Sequence, residues 1–183
     1  MTNTLMEKKI KSANSSALIL GKFFPPTREH ERLIRKAVNS GVKRCFLAVL
    51  GPNELPFDRA KRGEIISRLS PLLVPIVANN AYDAIEQSIE KVGEDELVIF
   101  GGTGERGMSS SSKQGASISE IERIISKFPN KNVSVIGNER GLISATYIRN
   151  LMKFDLCVER IYLCSSITHD ELISFRRYIQ NKK

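Results

Sequence analysis

Ala17-Leu18-Ile19-Leu20-Gly21-Lys22-Phe23-Phe24-Pro25-Pro26-Thr27-Arg28-Glu29-His30 is the stretch on which the fold turns. A run of four apolar residues ends at a glycine, and a proline pair follows. A short apolar run bounded by turn residues suits a strand buried on both faces. Pro25-Pro26 stops that strand and stiffens the turn. Thr27 is a good N-cap residue. After it, residues 28–40 place Leu33, Ile34, Ala37 and Val38 along one helical stripe. Strand, turn and helix are thus written in one piece.

The same alternation continues outward. Short apolar runs recur at Cys45–Leu50, Leu72–Val77, Leu97–Phe100 and Val133–Ile136, each bounded by Gly, Pro, Asn or charge. Between them, 59–69, 82–92 and 118–128 carry apolar residues at helical spacing: Ile65, Ile66 and Leu69, then Ile85, Ile89 and Val92, then Ile118, Ile121, Ile124, Ile125 and Phe128. This order predicts an α/β fold, a Rossmann-like open parallel sheet of about five strands with helices on both faces. Right-handed crossovers then bring every strand's C-terminal end to one edge, where a ligand is expected. Residues 159–165 are read as a sixth strand. Thr168–Glu171 is a Thr-x-x-Glu capping box that opens a last helix to about Gln180. Residues 1–16 are polar and aperiodic, a flexible lead to a single domain over 17–183. The stretch 101–117 (GGTGERGMSSSSKQGAS) reads as a flexible loop.

A length of 183 residues fits one domain with a true core. A hydrophobic share of 41% with 26% charged residues is ordinary for a globular chain and excludes global disorder. No apolar run approaches the roughly 20 residues of a membrane helix, and the apolar run near the start is too short for a signal peptide. A cytoplasmic protein is expected. Cys45, Cys157 and Cys164 are widely spaced and lack a CxxC pair, so reduced thiols are expected rather than a zinc site or a disulfide framework. The net charge of +8 favours anionic partners without choosing among them. Nucleic acid is not favoured, because aromatic residues make up 7% and tryptophan is absent. A homo-oligomer stays open.

Chemistry is concentrated in two segments. In the first, Gly21 lets the backbone turn close to a ligand, and Lys22 emerges at the strand end. His30 lies in the first helical turn, at the positive end of the helix dipole. The second is Arg140-Gly141-Leu142-Ile143-Ser144-Ala145-Thr146-Tyr147-Ile148-Arg149. Ser144 looks like an N-cap, and Thr146 and Arg149 share a helical face. Backbone N–H groups, a hydroxyl and a guanidinium at a helix start form an anion site.

Together the two segments resemble the nucleotidyltransferase superfamily with HxGH and ISSTxxR signatures. G-K-F-x-P-P-T-x-x-H looks most like the branch of nicotinamide mononucleotide adenylyltransferases, and I-S-A-T-Y-I-R matches ISSTxIR with Ala145 for Ser. Asn53-Glu54-Leu55-Pro56-Phe57-Asp58-Arg59-Ala60-Lys61-Arg62 is similar to that branch's P-F-x-x-x-x-R segment. The resemblance covers about residues 17–165. Two positions depart from it: Thr27 stands for the first His, as it does in the phosphopantetheine branch, and Glu29 stands for the motif Gly. No tryptophan is present to stack a nicotinamide ring.

The resemblance implies a Rossmann-like fold and adenylyl transfer from ATP to a small phosphomonoester, with nicotinamide mononucleotide the first guess. His30, Lys22, Arg149 and Thr27 would be catalytic. Gly21, Phe23, Ile143, Ser144 and Thr146 would contact the nucleotide. Mg²⁺ would bridge phosphates, held largely by substrate and water. CTP in place of ATP, a phosphopantetheine-type acceptor, and a catalytically weak nucleotide-binding or sensing protein are the alternatives, the last because of Glu29. Arg62 and Arg106 are weaker candidates for the acceptor; Arg59 and Lys113 are weaker still. Gly102–Gly107 formally matches GxGxxG, but Ser109–Ser112 rather than a helix follows, so it is set aside.

Overall fold

The computed structural model describes residues 14–102, 118–138, 144–154 and 160–182. Five strands, β1 (Ser16–Gly21), β2 (Arg44–Val49), β3 (Leu73–Ile76), β4 (Leu97–Gly102) and β5 (Val133–Asn138), form one sheet in the order β3-β2-β1-β4-β5. Every pairing is parallel. The helices are α1 (Arg28–Val38), α2 (Arg59–Ser67), α3 (Ala81–Val92), α4 (Ile118–Ile125), α5 (Ala145–Lys153) and α6 (His169–Asn181).

Strand β1 shows why the pattern folds this way. Ala17 and Ile19 point to one face, Leu18 to the other, as a period of two requires. Ala17 and Ile19 pack with Leu47 and Val49 of β2, Ile34 and Ala37 of α1, and Ile66 of α2. Leu18 packs with Phe46, with Ala84, Ile85 and Ile89 of α3, and with Ile121 and Ile124 of α4. Both faces are therefore covered. Each fully buried Leu or Ile contributes roughly 1.5–3 kcal/mol.

A third apolar cluster lies beyond the strand ends. It joins Phe24 and Phe57 to Ile65 of α2, Ile148 and Met152 of α5, Leu163, and Phe175 and Ile179 of α6. Thr168 and Glu171 form the expected capping box at the start of α6.

Two expected boundaries move. Strand β1 begins at Ser16, and Ser15 is already buried, its hydroxyl donating to Glu96 at 2.7 Å and its carbonyl accepting from Lys43 N–H. The sixth strand expected over 159–165 does not form: Arg160–Tyr162 is a 3₁₀ turn, and Leu163 makes one isolated antiparallel bridge, to Thr27. Tyr162, Leu163 and Cys164 face the third cluster rather than a sheet edge, and Ile161 is exposed.

The chain runs β1, β2, β3 outward on one side, then returns to lay β4 beside β1 on the other. In open α/β sheets such a reversal is the place where ligands bind, outside the C-terminal ends of the strands.

Candidate active site

The turn after β1 lies at this reversal. Thr27 caps α1: its Oγ1 accepts from His30 N–H at 3.4 Å, and His30 Nδ1 accepts from Thr27 N–H at 3.0 Å. A histidine thus fills the place that Glu or Gln takes in an ordinary capping box. Because Nδ1 accepts a backbone proton, the ring's own hydrogen must sit on Nε2. Burial pushes the His30 pKa down to about 4, so the imidazole is a neutral N–H donor at physiological pH.

Gly21 has a different task from the one expected. A Cβ there would lie 2.7 Å from Cζ of Phe23, whose ring covers it. Phe23 is buried, so its side chain packs inward against Gly21 and His30. Lys22 leaves the strand end with its stem over Gly51; a Cβ on Gly51, at φ +85°, would lie 3.1 Å from Cγ of Lys22.

The second segment arrives at the start of α5. Ser144 is its N-cap, accepting from Tyr147 N–H at 3.1 Å. Arg149 donates to Thr146 Oγ1 at 2.8 Å and to the backbone carbonyl of Phe24. Its guanidinium stands 5.9 Å from the centre of the Phe24 ring. Residues 125 positions apart are thereby in direct contact. Burial lowers the Arg149 pKa. Two of its five N–H donors go to these acceptors.

Glu29 does not intrude. Its carboxylate accepts from Arg32 Nη1 at 3.2 Å, one turn along the outer face of α1. Arg62, expected near an acceptor, is 0% exposed. Its guanidinium donates to the carbonyls of Phe57 at 3.1 Å, Asp58 at 3.2 Å and Leu50 at 3.0 Å, and to those of Lys22 and Pro52. It sits 5.3 Å from the Phe24 ring. Burial, then the charge of Arg59, brings its pKa down to about 10. Its geometry is that of a staple beneath the edge, fixing the ends of β1 and β2 and the start of α2. Arg59 reaches across the ends of β2 and β3, donating to Gly51 O at 3.1 Å and Ala78 O at 2.8 Å. Ile143, Arg106 and Lys113 lie outside the described residues.

One contributor had escaped the sequence reading. Glu31, 2% exposed, accepts from Ser165 N–H at 2.7 Å, Ser165 Oγ at 2.8 Å, Arg35 Nη2 at 2.7 Å and Arg28 Nη1 at 3.0 Å. Burial alone would raise its pKa; the Ser165 and arginine hydrogen bonds outweigh that and hold it at about 2. Cys164 N–H donates to Pro26 O at 3.2 Å alongside. The segment 163–165 therefore braces the turn that presents Thr27 and His30. The spacing of Arg28, Glu31 and Arg35 was legible as helical ion pairs; the partner 134 residues away was not.

Hydroxyls, an imidazole N–H and guanidinium groups at two helix starts suit phosphate oxygens. Among the described residues no cluster of three or more His, Cys, Asp or Glu is placed to hold a metal ion. No described helix is long and apolar enough to cross a membrane.

Solved structures agree with this architecture. A bifunctional NMN adenylyltransferase/ADP ribose pyrophosphatase from Francisella tularensis, complexed with AMP and a manganese ion, superposes with a TM-score of 0.60 at 14% identity, over 92% of this chain and 50% of that one. A candidate nicotinate-nucleotide adenylyltransferase from Vibrio parahaemolyticus gives 0.61 at 12% identity, over 92% and 96%. The nicotinic acid mononucleotide adenylyltransferase of Plasmodium falciparum, complexed with APC, gives 0.56 at 16% identity, over 92% and 99%. The fold is that of the nucleotidyltransferases. No family model matches the sequence, and no curated protein matches it. The chain spans half the length of the Francisella protein, and nearly all of the other two. In this chain the two sequence motifs meet beyond the end of β1, where Arg149 reaches the Phe24 carbonyl.

Proposed function

We propose that this chain is an adenylyltransferase: a small phosphomonoester attacks the α-phosphorus of ATP and pyrophosphate leaves. The bond from the acceptor oxygen to the α-phosphorus forms as the bond from the α-phosphorus to the bridging oxygen of pyrophosphate breaks. That oxygen takes the electron pair, and no proton has to move. The observation that carries the reading is the contact between Arg149 and the Phe24 carbonyl, which joins the two motifs at one edge. Such a reaction asks the protein to position groups and to offset charge.

His30 Nε2–H donates to a triphosphate oxygen, at a helix N-terminus whose dipole favours anions. The remaining N–H donors of Arg149, with Lys22, meet charge as it develops on the α-phosphate and the leaving pyrophosphate. Ser144 and Thr146 line the second helix start. Thr27, buried with its Oγ1 engaged in the cap, holds His30 in its tautomer. Among the described residues no carboxylate cage is present; Mg²⁺ would enter as the counterion of ATP, held by phosphates and water, and would offset phosphate charge. Nicotinamide mononucleotide is the first acceptor to try, in keeping with the names of the structural neighbours. We place the reaction in the cytoplasm.

The test is pyrophosphate release with ATP or CTP against a panel of mononucleotides and phosphopantetheine, beside calorimetric titration with ATP. Turnover with one acceptor is expected. ATP binding without turnover across the panel would instead establish a sensing protein. His30→Ala should lower turnover by at least ~10²-fold.

A further inference from the structure

Gly21, Phe23 and His30 form a connected device. Phe23 has φ +48°, and among the described residues it alone adopts a positive φ without being a glycine. A left-handed backbone is an outlier for a bulky aromatic residue, and such outliers concentrate at functional sites. What the turn achieves is visible in the packing. The ring, 1% exposed, lies over Gly21 so closely that a Cβ there would fall within 3.0 Å of three ring atoms. The same ring meets the His30 imidazole in an edge-type contact, with centroids 4.8 Å apart and an interplanar angle of 61°. The cap holds His30 by Nδ1, from Thr27 N–H. Cap and ring together leave the imidazole one seat.

We propose that Phe23 is a positioning residue for His30: seated over Gly21 by the left-handed turn, its ring fixes the imidazole and shields it from water, so that Nε2–H is held ready for an anionic oxygen of a nucleotide. This deepens the proposed reaction, since it concerns the donor that would meet the triphosphate. Burial is what lowers the His30 pKa to about 4, and the Phe23 ring is a direct part of that burial. The charged groups around His30 are engaged elsewhere. Glu29 pairs with Arg32, and Glu31 pairs with Arg28, Arg35 and Ser165. From α5, Arg149 bonds Phe24 and Thr146; from the segment beside Thr27, the Cys164 thiol bonds Ser166. Lys22 is the charge on the β1 turn, with its stem over Gly51.

The chain has two histidines, His30 and His169, so each titration can be followed by NMR in the full-length protein. Phe23→Leu removes the ring edge, and Gly21→Ala displaces it. In both, the His30 proton affinity should rise at least about tenfold, one pH unit toward the ordinary value, while His169 is unmoved. Gly21→Ala/Phe23→Leu should shift no further than either single variant, because the smaller side chain makes room for the methyl. ATP affinity, read by calorimetry, should fall about tenfold in the same variants. A His30 titration unchanged in both folded single variants would overturn the proposal. If Phe23→Leu fails to fold, Phe23→Met carries the same readouts. A wild-type chain that titrates as expected yet transfers no adenylyl group refutes the proposed reaction and leaves the Phe23 assignment standing.

Discussion

Acid should weaken this protein first through His30 and then through its depressed carboxylates. His30 has a folded pKa of about 4 against an ordinary 6.5. The unfolded chain therefore binds more protons than the folded one between these values. The His30 contribution is whole above 6.5, falls as pH drops through the window, and is fully lost below 4. At 1.36 kcal/mol per pH unit, the loss amounts to about 3 kcal/mol. A domain of ordinary stability holds ~5–15 kcal/mol, so the effect is a large share of the whole. Glu31 acts lower. Its folded pKa of about 2 against 4.5 gives stability that is present above 4.5 and is lost as pH falls toward 2. Its side chain is 3% exposed, so solvent screening removes little of this.

The assay is urea unfolding followed by circular dichroism, from about pH 7 down to about pH 4. The comparison is His30→Gln. Glutamine does not titrate, and at this place in a capping box it can still accept from Thr27 N–H. Wild-type protein should lose stability steadily from about pH 6.5, while His30→Gln stays nearly level until the carboxylates titrate. Equal slopes for the two proteins would refute the reasoning, because the loss would then come from groups other than His30. A flat wild-type curve over the same range would refute it as well, since the imidazole would then not be buried in its neutral form.

Arg149→Ala should cut turnover by at least ~10²-fold in the pyrophosphate assay, and Arg149→Lys should not restore it, because an ammonium cannot bridge Thr146 and the Phe24 carbonyl as a planar fork does. Unchanged turnover would remove Arg149 from the site. Arg62→Met leaves the carbonyls of Lys22, Leu50, Pro52, Phe57 and Asp58 without this donor. Urea unfolding should show a loss of about 3 kcal/mol or more, and a loss below ~1 kcal/mol would mean that water or other donors replace the guanidinium. Glu29→Gly should leave turnover unchanged or raise it, at a cost of about 1 kcal/mol in helix stability; a large loss of activity would show that Glu29 has a role of its own.

Much of the fold was legible because its signals are local. Each strand is a short apolar run ending in turn residues, and five helices begin at a capping side chain: Thr27, Asp58, Asn80, Ser144 and Thr168 all accept from the first helical turn. What was not legible depends on distance or on burial. Leu163 and Cys164 looked like strand residues, but Leu163 donates its N–H to Arg160 O and bridges only to Thr27, and Cys164 N–H donates to Pro26 O. Arg62 looked like a surface cation beside Arg59. Nothing in its spacing says that five backbone carbonyls replace water around it. The resemblance put Phe23 at the nucleotide, and only the left-handed turn reveals that its ring faces the imidazole.

The charge of +8 says little about the ligand; its placement says more. The carboxylates near the edge are already engaged by cations: Glu29 by Arg32, Glu31 by Arg28 and Arg35, Glu54 by Lys182, Glu171 by Lys61 and Arg68. Arg62 and Arg149 are in no ion pair among the described residues; they flank Phe24 and rest on carbonyl oxygens. A carbonyl satisfies an N–H donor but carries no net charge; Asp58 offsets part of the Arg62 charge, and the remaining positive charge lies at the end of β1. In a partly desolvated setting such charges act over longer distances than they would in water. A neutral ligand would gain nothing from that field, whereas a triphosphate would be drawn to it. The same arrangement predicts that ATP affinity falls steeply with added salt while adenosine affinity barely changes. Equal salt dependence for the two would mean that these buried cations serve the fold alone.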